Sequence, residues 1–434
     1  MKLLRLLPLT FALCTAFAAP AGAQSLVQLY DSARASDATY QSARAQYEAN
    51  LFRAEQAKAA ILPTAGLAAG VNRANQEVSA GGISSDRSYT ARTATLSASQ
   101  PLYRPFNLAS YEQGKKLVEA SQAQLQAAEQ DLLVRVAQAY FDVLAARDSL
   151  VFVQAQKTAT SEQLAFAKRN FEVGTSTITD TREAEARFDL VRAQEIAAEN
   201  DLRVKSIVLD TLTGASNARP QPLAIPVVLP AVLPDDVNVW VQQSESAHPT
   251  ILQARTALDV AQLETAKAEA GHKPTLDLTA GYNISTNPSG SSTGSGGSAA
   301  SVGAKINTGT IGLAFNLPLF AGFATQNRIR ETLALEDKAR ADLEAARRAV
   351  SLGTRTAFFG VVSGNGQVKA LEAAEASSQS ALDANKLGYQ VGVRINIDVL
   401  NAQSQLFQTK RDLARARYDV LVGGLKLRQA NGTL

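Results

Sequence analysis

Two histidines, His248 and His272, are the only imidazoles in the chain, and 24 residues separate them. A metal site needs several ligands that converge. Each histidine lies beside or near a proline at a helix end, and both read as structural or solvated residues. Gly294-Ser295-Gly296-Gly297 has the glycines of a phosphate cradle but lacks the strand-to-helix setting that such a cradle requires. Carboxylates are numerous, but most stand among Lys and Arg on helical stretches and read as solvated faces. No catalytic constellation emerges, so the chain reads as a non-enzyme with no cofactor and no metal.

The single cysteine, Cys14, and the single methionine, Met1, fall in the first 23 residues. That segment has Lys2 and Arg5, an apolar run from Leu6 to Ala19 and a small-x-small site at Ala21-Gly22-Ala23, which together mark a secretory signal peptide over 1–23. The apolar run is too short for a membrane helix and contains Pro8. Leu13 is too bulky to precede a lipidated cysteine. The mature chain is therefore expected to start at Gln24 without disulfide, thiolate metal site or lipid anchor. It keeps 41 basic against 40 acidic residues, a net charge of about +1, which argues against a nucleic-acid partner. Aromatics make up only 6% of the chain, and no run of 18 apolar residues follows the signal. Such a composition suits long helices better than a thick core.

Internal repetition organises the rest. Phe171-Glu172-Val173-Gly174 returns as Tyr389-Gln390-Val391-Gly392, an offset of 218. Asp180 returns as Asp398 and Gly214 as Gly432 at the same offset. Ala139-Tyr140-Phe141 returns as Ala357-Phe358-Phe359, and Pro63-Thr64 as Pro274-Thr275. Two structural repeats are predicted, 24–231 and 232–434. The join near 214–234 carries Pro220, Pro222, Pro226, Pro230 and Pro234 and reads as an ordered crossover strap.

Each repeat opens with a helix and then alternates. Leu276, Leu278, Ala280, Tyr282 and Ile284 fall on one face of a strand, with Asp277, Thr279, Gly281, Asn283 and Ser285 on the other. Ile311, Leu313, Phe315 and Leu317 alternate in the same way. Strands are predicted at about 64–75, 90–101, 275–286 and 305–318, the length of tilted membrane strands. Residues 76–88 and the Gly/Ser tract 287–304 are expected to be solvated external loops. A long helix follows each strand pair. Leu125, Leu132, Val136, Ala139, Val143, Ala146, Leu150 and Val153 mark a coiled-coil seam in a helix of roughly 65 residues, about 100 Å at 1.5 Å per residue. In the second repeat Gly353, Gly360, Gly364 and Gly366 fall in helix 322–387, where local breaks or a belt are expected. Turns at about 172–180 and 388–397 lead into return helices.

Four amphipathic strands cannot close a barrel, and lipid does not tolerate open edges. Three copies give 12 strands and a water-filled pore, so a homotrimer in contact with outer-membrane lipid is expected. The fold class is an α+β membrane protein: a trimeric 12-stranded β-barrel, four strands per chain, continued by a periplasmic α-helical barrel.

The turn segments Phe171-Glu172-Val173-Gly174-Thr175-Ser176-Thr177-Ile178-Thr179-Asp180 and Gly388-Tyr389-Gln390-Val391-Gly392-Val393-Arg394-Ile395-Asn396-Ile397-Asp398 resemble the tip turns of the TolC family. The proline-anchored strands around Pro274 and Pro318 do so as well, and the resemblance covers nearly the whole mature chain. It implies an outer-membrane exit duct for drug efflux or type I protein secretion. Its partners would be a periplasmic adaptor (membrane fusion) protein and an inner-membrane ABC or proton-driven (RND) transporter. The competing reading is a periplasmic coiled-coil adaptor, which would lack the two membrane hairpins.

By position, the resemblance implies a gate network in which Asp180 accepts hydrogen bonds from Tyr389 and Arg394. The alternative is that Asp180 only caps the return helix while Arg394 is solvated. Asp398 matches an acidic ring at the pore constriction, although a helix cap also suits it. Asn401 stands where the family has a second acidic ring.

Overall fold

A computed structural model describes residues 23–80, 83–224, 227–292 and 300–434; the signal peptide expected over 1–23 lies, but for Ala23, outside them. The elements run α1 (Leu26–Ser36), α2 (Ala38–Ala59), β1 (Thr64–Ala80), β2 (Ile83–Tyr103), α3 (Pro105–Glu172), α4 (Ile178–Thr213), α5 (Val237–Ala247), α6 (Pro249–Glu269), β3 (Thr275–Ser292), β4 (Ala300–Asn316), α7 (Ala324–Gln390) and α8 (Asn396–Asn431).

These elements gather into two compact units that cut across the sequence repeat. One combines the described residues up to Ser42 with Ala127–His248 and Val350–Leu434; the other combines Ala43–Gln126 with Pro249–Ala349. Each unit thus draws on both repeats.

The second unit holds one antiparallel sheet in the order β1-β2-β3-β4, with β1 and β4 at its edges. Its register lines up the alternating residues. Leu67 faces Leu96, which faces Tyr282. Ala98 faces Ala280, which faces Ile311, and Leu278 faces Leu313. Cross-strand neighbours lie on the same face, so these rows form one apolar face. It is open, with Leu67 78% and Ile311 80% exposed. The opposite face carries Ser97, Thr95, Asn283 and Thr310, and the Asn283 amide donates to Thr95 Oγ1 at 2.9 Å.

The strands are longer than the alternation indicates. Ala80 still pairs with Ile83, and Ser292 with Ala300. Residues 76–80, 83–88, 287–292 and 300–304 are therefore strand, not loop. Only 81–82 and 293–299 of the expected loops fall outside the described residues. A ladder satisfies the backbone whatever the side chains are, so a polar stretch continues a hairpin wherever water reaches both faces. The hairpin roots are tied by a bidentate pair: Arg104 donates through Nε to Asp277 Oδ1 at 2.7 Å and through Nη2 to Oδ2 at 2.5 Å.

The first unit is helical. The α3 seam is buried at Leu132, Val136, Ala139, Val143, Ala146 and Val153, and the opposite flank buries Tyr140, Phe141 and Leu144 as well. The expected breaks in the second long helix do not occur: α7 is continuous from Ala324 to Gln390. Its glycines thin the helix in places. A Cβ at Gly364 would lie 2.7 Å from Val420 Cγ2 of α8. A cluster of Phe358, Val361 and Val368 with Leu413, Ala416, Val420 and Leu427 forms there, and Leu229, Val232 and Trp240 pack on it. The proline-rich segment is held to this unit by Tyr140 Oη donating to Gln221 O at 2.7 Å and by Trp240 Nε1 donating to Pro234 O at 2.9 Å. The return helices both end on glycines in the left-handed region, Gly214 (φ 66°) and Gly432 (φ 79°).

No described helix is long and apolar enough to cross a membrane.

Candidate functional site

The turn between α3 and α4 is set by Gly174 at φ 78°, a conformation that only glycine adopts readily. Thr177 N-caps α4 in a capping box: the Asp180 amide donates to Thr177 Oγ1 at 3.2 Å, and Thr177 N donates back to Asp180 Oδ2 at 3.1 Å. Ser176 Oγ, at 2.7 Å, and Thr177 Oγ1, at 2.9 Å, also donate to Oδ2. Burial alone would raise the Asp180 pKa, but these three donors outweigh it and hold the carboxyl below its usual range.

The turn between α7 and α8 repeats the geometry with different chemistry. Gly392 has φ 80°. The N-cap of α8 is Ile395, whose side chain cannot cap. Arg394 N donates to Gly388 O at 3.1 Å, and its side chain lies where a Cβ on Gly388 would stand, 2.7 Å from Arg394 Cγ. Arg394 makes a loose, exposed ion pair with Asp398 at 3.7 Å, in the first turn of α8.

Tyr389 points inward. Its ring meets Phe166 edge-on at 5.8 Å and packs on Leu382, Val399 and Leu406. Its hydroxyl is buried and has no hydrogen-bond partner among the described residues.

Within one chain, then, Asp180, Tyr389 and Arg394 do not meet. A hydroxyl one turn away reaches Asp180 with less ordering of side chains than a guanidinium on another helix.

Sequence reasoning missed three residues. Asn396, only 1% exposed, donates through Nδ2 to Asp180 O at 3.0 Å and accepts from Gln163 Nε2 at 2.6 Å. It thereby joins the two turns. Arg187 Nη2 donates to Asn401 Oδ1 at 2.9 Å, and Gly388 seats Arg394. The sequence signal for Asn396 was a polar residue between two isoleucines in an otherwise apolar turn. For Arg187 there was none, because a lone arginine on a mixed helix face looks solvated.

Among the described residues no group of three or more His, Cys, Asp or Glu is placed to hold a metal ion.

The chain matches the family model described as outer membrane efflux protein over residues 29–215 and 240–433. It is 33% identical to outer membrane protein TolC of Vibrio cholerae, covering 95% of this chain and 91% of that protein. It is 30% identical to the alkaline protease secretion protein AprF of Pseudomonas aeruginosa, over 95% and 85% of the two chains. A membrane protein of solved structure from Pseudomonas aeruginosa shares the fold with a TM-score of 0.81 at 21% identity, covering 94% of this chain and 93% of that one.

Proposed function

This chain belongs to the outer membrane efflux protein family, and from that premise we propose that three copies form the final duct of an export pathway, with the constriction at the turns after α3 and α7. It is an outer-membrane channel protein with its helices in the periplasm, and it is not an enzyme. The observation that carries the assembly is the four-stranded sheet with free edges β1 and β4 and an exposed apolar face. In lipid each free edge needs a strand from another copy, and a second and third copy supply them.

The duct serves an adaptor in the periplasm and an inner-membrane transporter. The secretion protein AprF among its relatives favours a type I role with a polypeptide cargo. In the closed trimer, Asp180, Tyr389 and Arg394 act together across the contacts between turns. The orphaned Tyr389 hydroxyl and the loosely held Arg394 guanidinium support this reading. Asp398 and Asn401 line the constriction.

A cysteine scan of β1 at 67–71 against β4 at 306–310 tests the assembly, since the chain's one natural cysteine lies in the signal segment. Crosslinks between copies, giving trimers in detergent, are expected. A folded, stable monomer without such crosslinks sinks the proposal.

A further inference from the structure

A groove of about 400 Å³ lies between α3, α4 and α8, lined by Gln156, Arg187, Gln194, Asn401, Gln405 and Arg411 among others. It begins at Asn401, the position read above as part of the constriction. The α8 residues of its wall recur at 401, 404/405, 408 and 411, one helical stripe.

Two guanidiniums occupy this groove, and amides hold both. Arg187 Nη2 donates to Asn401 Oδ1 at 2.9 Å. Arg411 Nη1 donates to Oε1 of the buried Gln156 at 3.1 Å, and its Nη2 donates to Gln408 Oε1 at 2.6 Å. Among the described residues neither arginine forms an ion pair, and no carboxylate lines the groove. Burial pushes the Arg411 pKa below its ordinary value, and the neighbouring Asp412 opposes the shift. An amide oxygen fixes the guanidinium fork without neutralising it, so a second acceptor with charge is still wanted.

We propose that this groove is an oxyanion-binding subsite of the duct wall, with Arg187 and Arg411 as its cationic ends and Asn401 as the residue that orients Arg187 without quenching it. The ligand class is a small multivalent oxyanion, or a carboxylate or phosphate group on a passing cargo. The constriction then carries charges of both signs: Asp398 on one side of the turn and Arg187 one helix away. An aspartate at 401 would close an ion pair with Arg187 and remove the subsite. The inference rests on the constriction reading only for its placement in the wall.

The experiment uses the full-length trimer and sulfate as the probe. Calorimetry of sulfate binding in detergent does not depend on where the groove lies. Wild type should bind, Arg187→Gln/Arg411→Gln should weaken binding at least tenfold, and Arg187→Lys/Arg411→Lys should restore part of it. Equal binding by wild type and the Gln pair overturns the subsite. In planar bilayers the Gln pair should raise cation over anion permeability at least about two- to threefold, the size of a single unit charge acting across roughly 8 Å of water. Asp398→Ala should lower it. Asp398→Ala without effect overturns the constriction reading and leaves the calorimetric result standing. Sulfate binding lost in the Gln pair with unchanged permeability overturns the placement in the wall.

Discussion

Asn396 and Asp180 stand 216 residues apart, yet the Asn396 amide donates to the Asp180 carbonyl at 3.0 Å. The bond joins the first turns of α4 and α8, the two repeat-related return helices. Gln163 of α3 closes the other side of the same amide. One side chain therefore fixes the register of three helices at the tip.

Asn396→Ala leaves the Asp180 carbonyl and the Gln163 amide without their partner at a site that is 1% exposed. The expected cost is about 1–3 kcal/mol. Thermal melting followed by far-UV circular dichroism should show the loss, and Asn396→Asp should recover the Gln163 bond but not the one to Asp180. A melting curve unchanged in Asn396→Ala rules out the tie.

Gate variants separate a cap from a latch. Asp180→Ala breaks both the capping box and any bond to a neighbouring copy, whereas Thr177→Ala breaks the box alone at about 1 kcal/mol. Arg394→Ser and Tyr389→Phe touch no cap. Conductance in planar bilayers should rise several-fold in Asp180→Ala, Arg394→Ser and Tyr389→Phe, and stay near wild type in Thr177→Ala. If Asp180→Ala and Thr177→Ala behave alike while the other two are silent, Asp180 only caps its helix.

Block by a trivalent metal complex reads the charge at the constriction. Asp398→Ala should largely remove it. Asn401→Asp should tighten it only slightly, because Arg187 is already at 2.9 Å and takes the new carboxylate as a partner. Asn401→Asp with Arg187→Gln should tighten block well beyond the sum of the single changes. Additive effects would mean that Arg187 does not sense position 401.

Two glycines with the same backbone angle should respond differently to a methyl group. Gly392 (φ 80°) has open space around it, so Gly392→Ala meets only the left-handed strain of about 1–2 kcal/mol. A Cβ at Gly432 (φ 79°) would stand 2.7 Å from His248 Cα, which is backbone and cannot swing away. Gly432→Ala should cost about 2–4 kcal/mol in total. Equal melting temperatures for the two variants would refute the contact.

Acid should loosen the second unit. Glu264 is held down to about 2 by Lys267 first, against the opposing effect of burial, with Gln113 and Arg328 adding to the shift. Its folded value lies below the unfolded one, so the stabilisation is complete above about pH 4.5 and fades as pH falls toward 2. The upper bound is about 3.5 kcal/mol, since the fall from 4.5 to about 2 spans about 2.5 pH units and each is worth about 1.4 kcal/mol. Glu264→Gln should flatten the fall in stability below pH 4.5, measured by urea melts across that range.

The duplication, the four strands and the long helices were legible because each follows from a period: two for the strands, seven or a 4–3 step for the α3 seam. Strand ends were not, because the pairing of Ala80 with Ile83 is a backbone property that polar side chains do not advertise. The α7 glycines looked like breaks, yet Gly364 is there to admit Val420, a partner some fifty residues away that no local rule could supply. At the tip turns, Asp180, Tyr389, Arg394 and Asp398 were singled out by the resemblance of those turns to the family's, and within one chain the first three do not meet. Arg187 and Asn396 were not, since each acts through a partner more than 200 residues distant in sequence.

The interleaving of the two units sets a clock on synthesis. The sheet-bearing unit is complete once Ala349 has emerged, but the helical unit still lacks Val350–Leu434, the strand of chain that carries α8 and most of α7's buried face. At about 5–20 residues per second this is a delay of roughly 4–17 s. During it Phe141 and Asp148 of α3 lack Tyr418 of α8, whose ring stacks on Phe141 at 5.8 Å and whose hydroxyl donates to Asp148 at 2.7 Å. A nascent chain in that interval is a hydrophobic client in need of shelter, and a premature stop shortly after Ala349 leaves the sheet-bearing unit whole and the helical unit without α8.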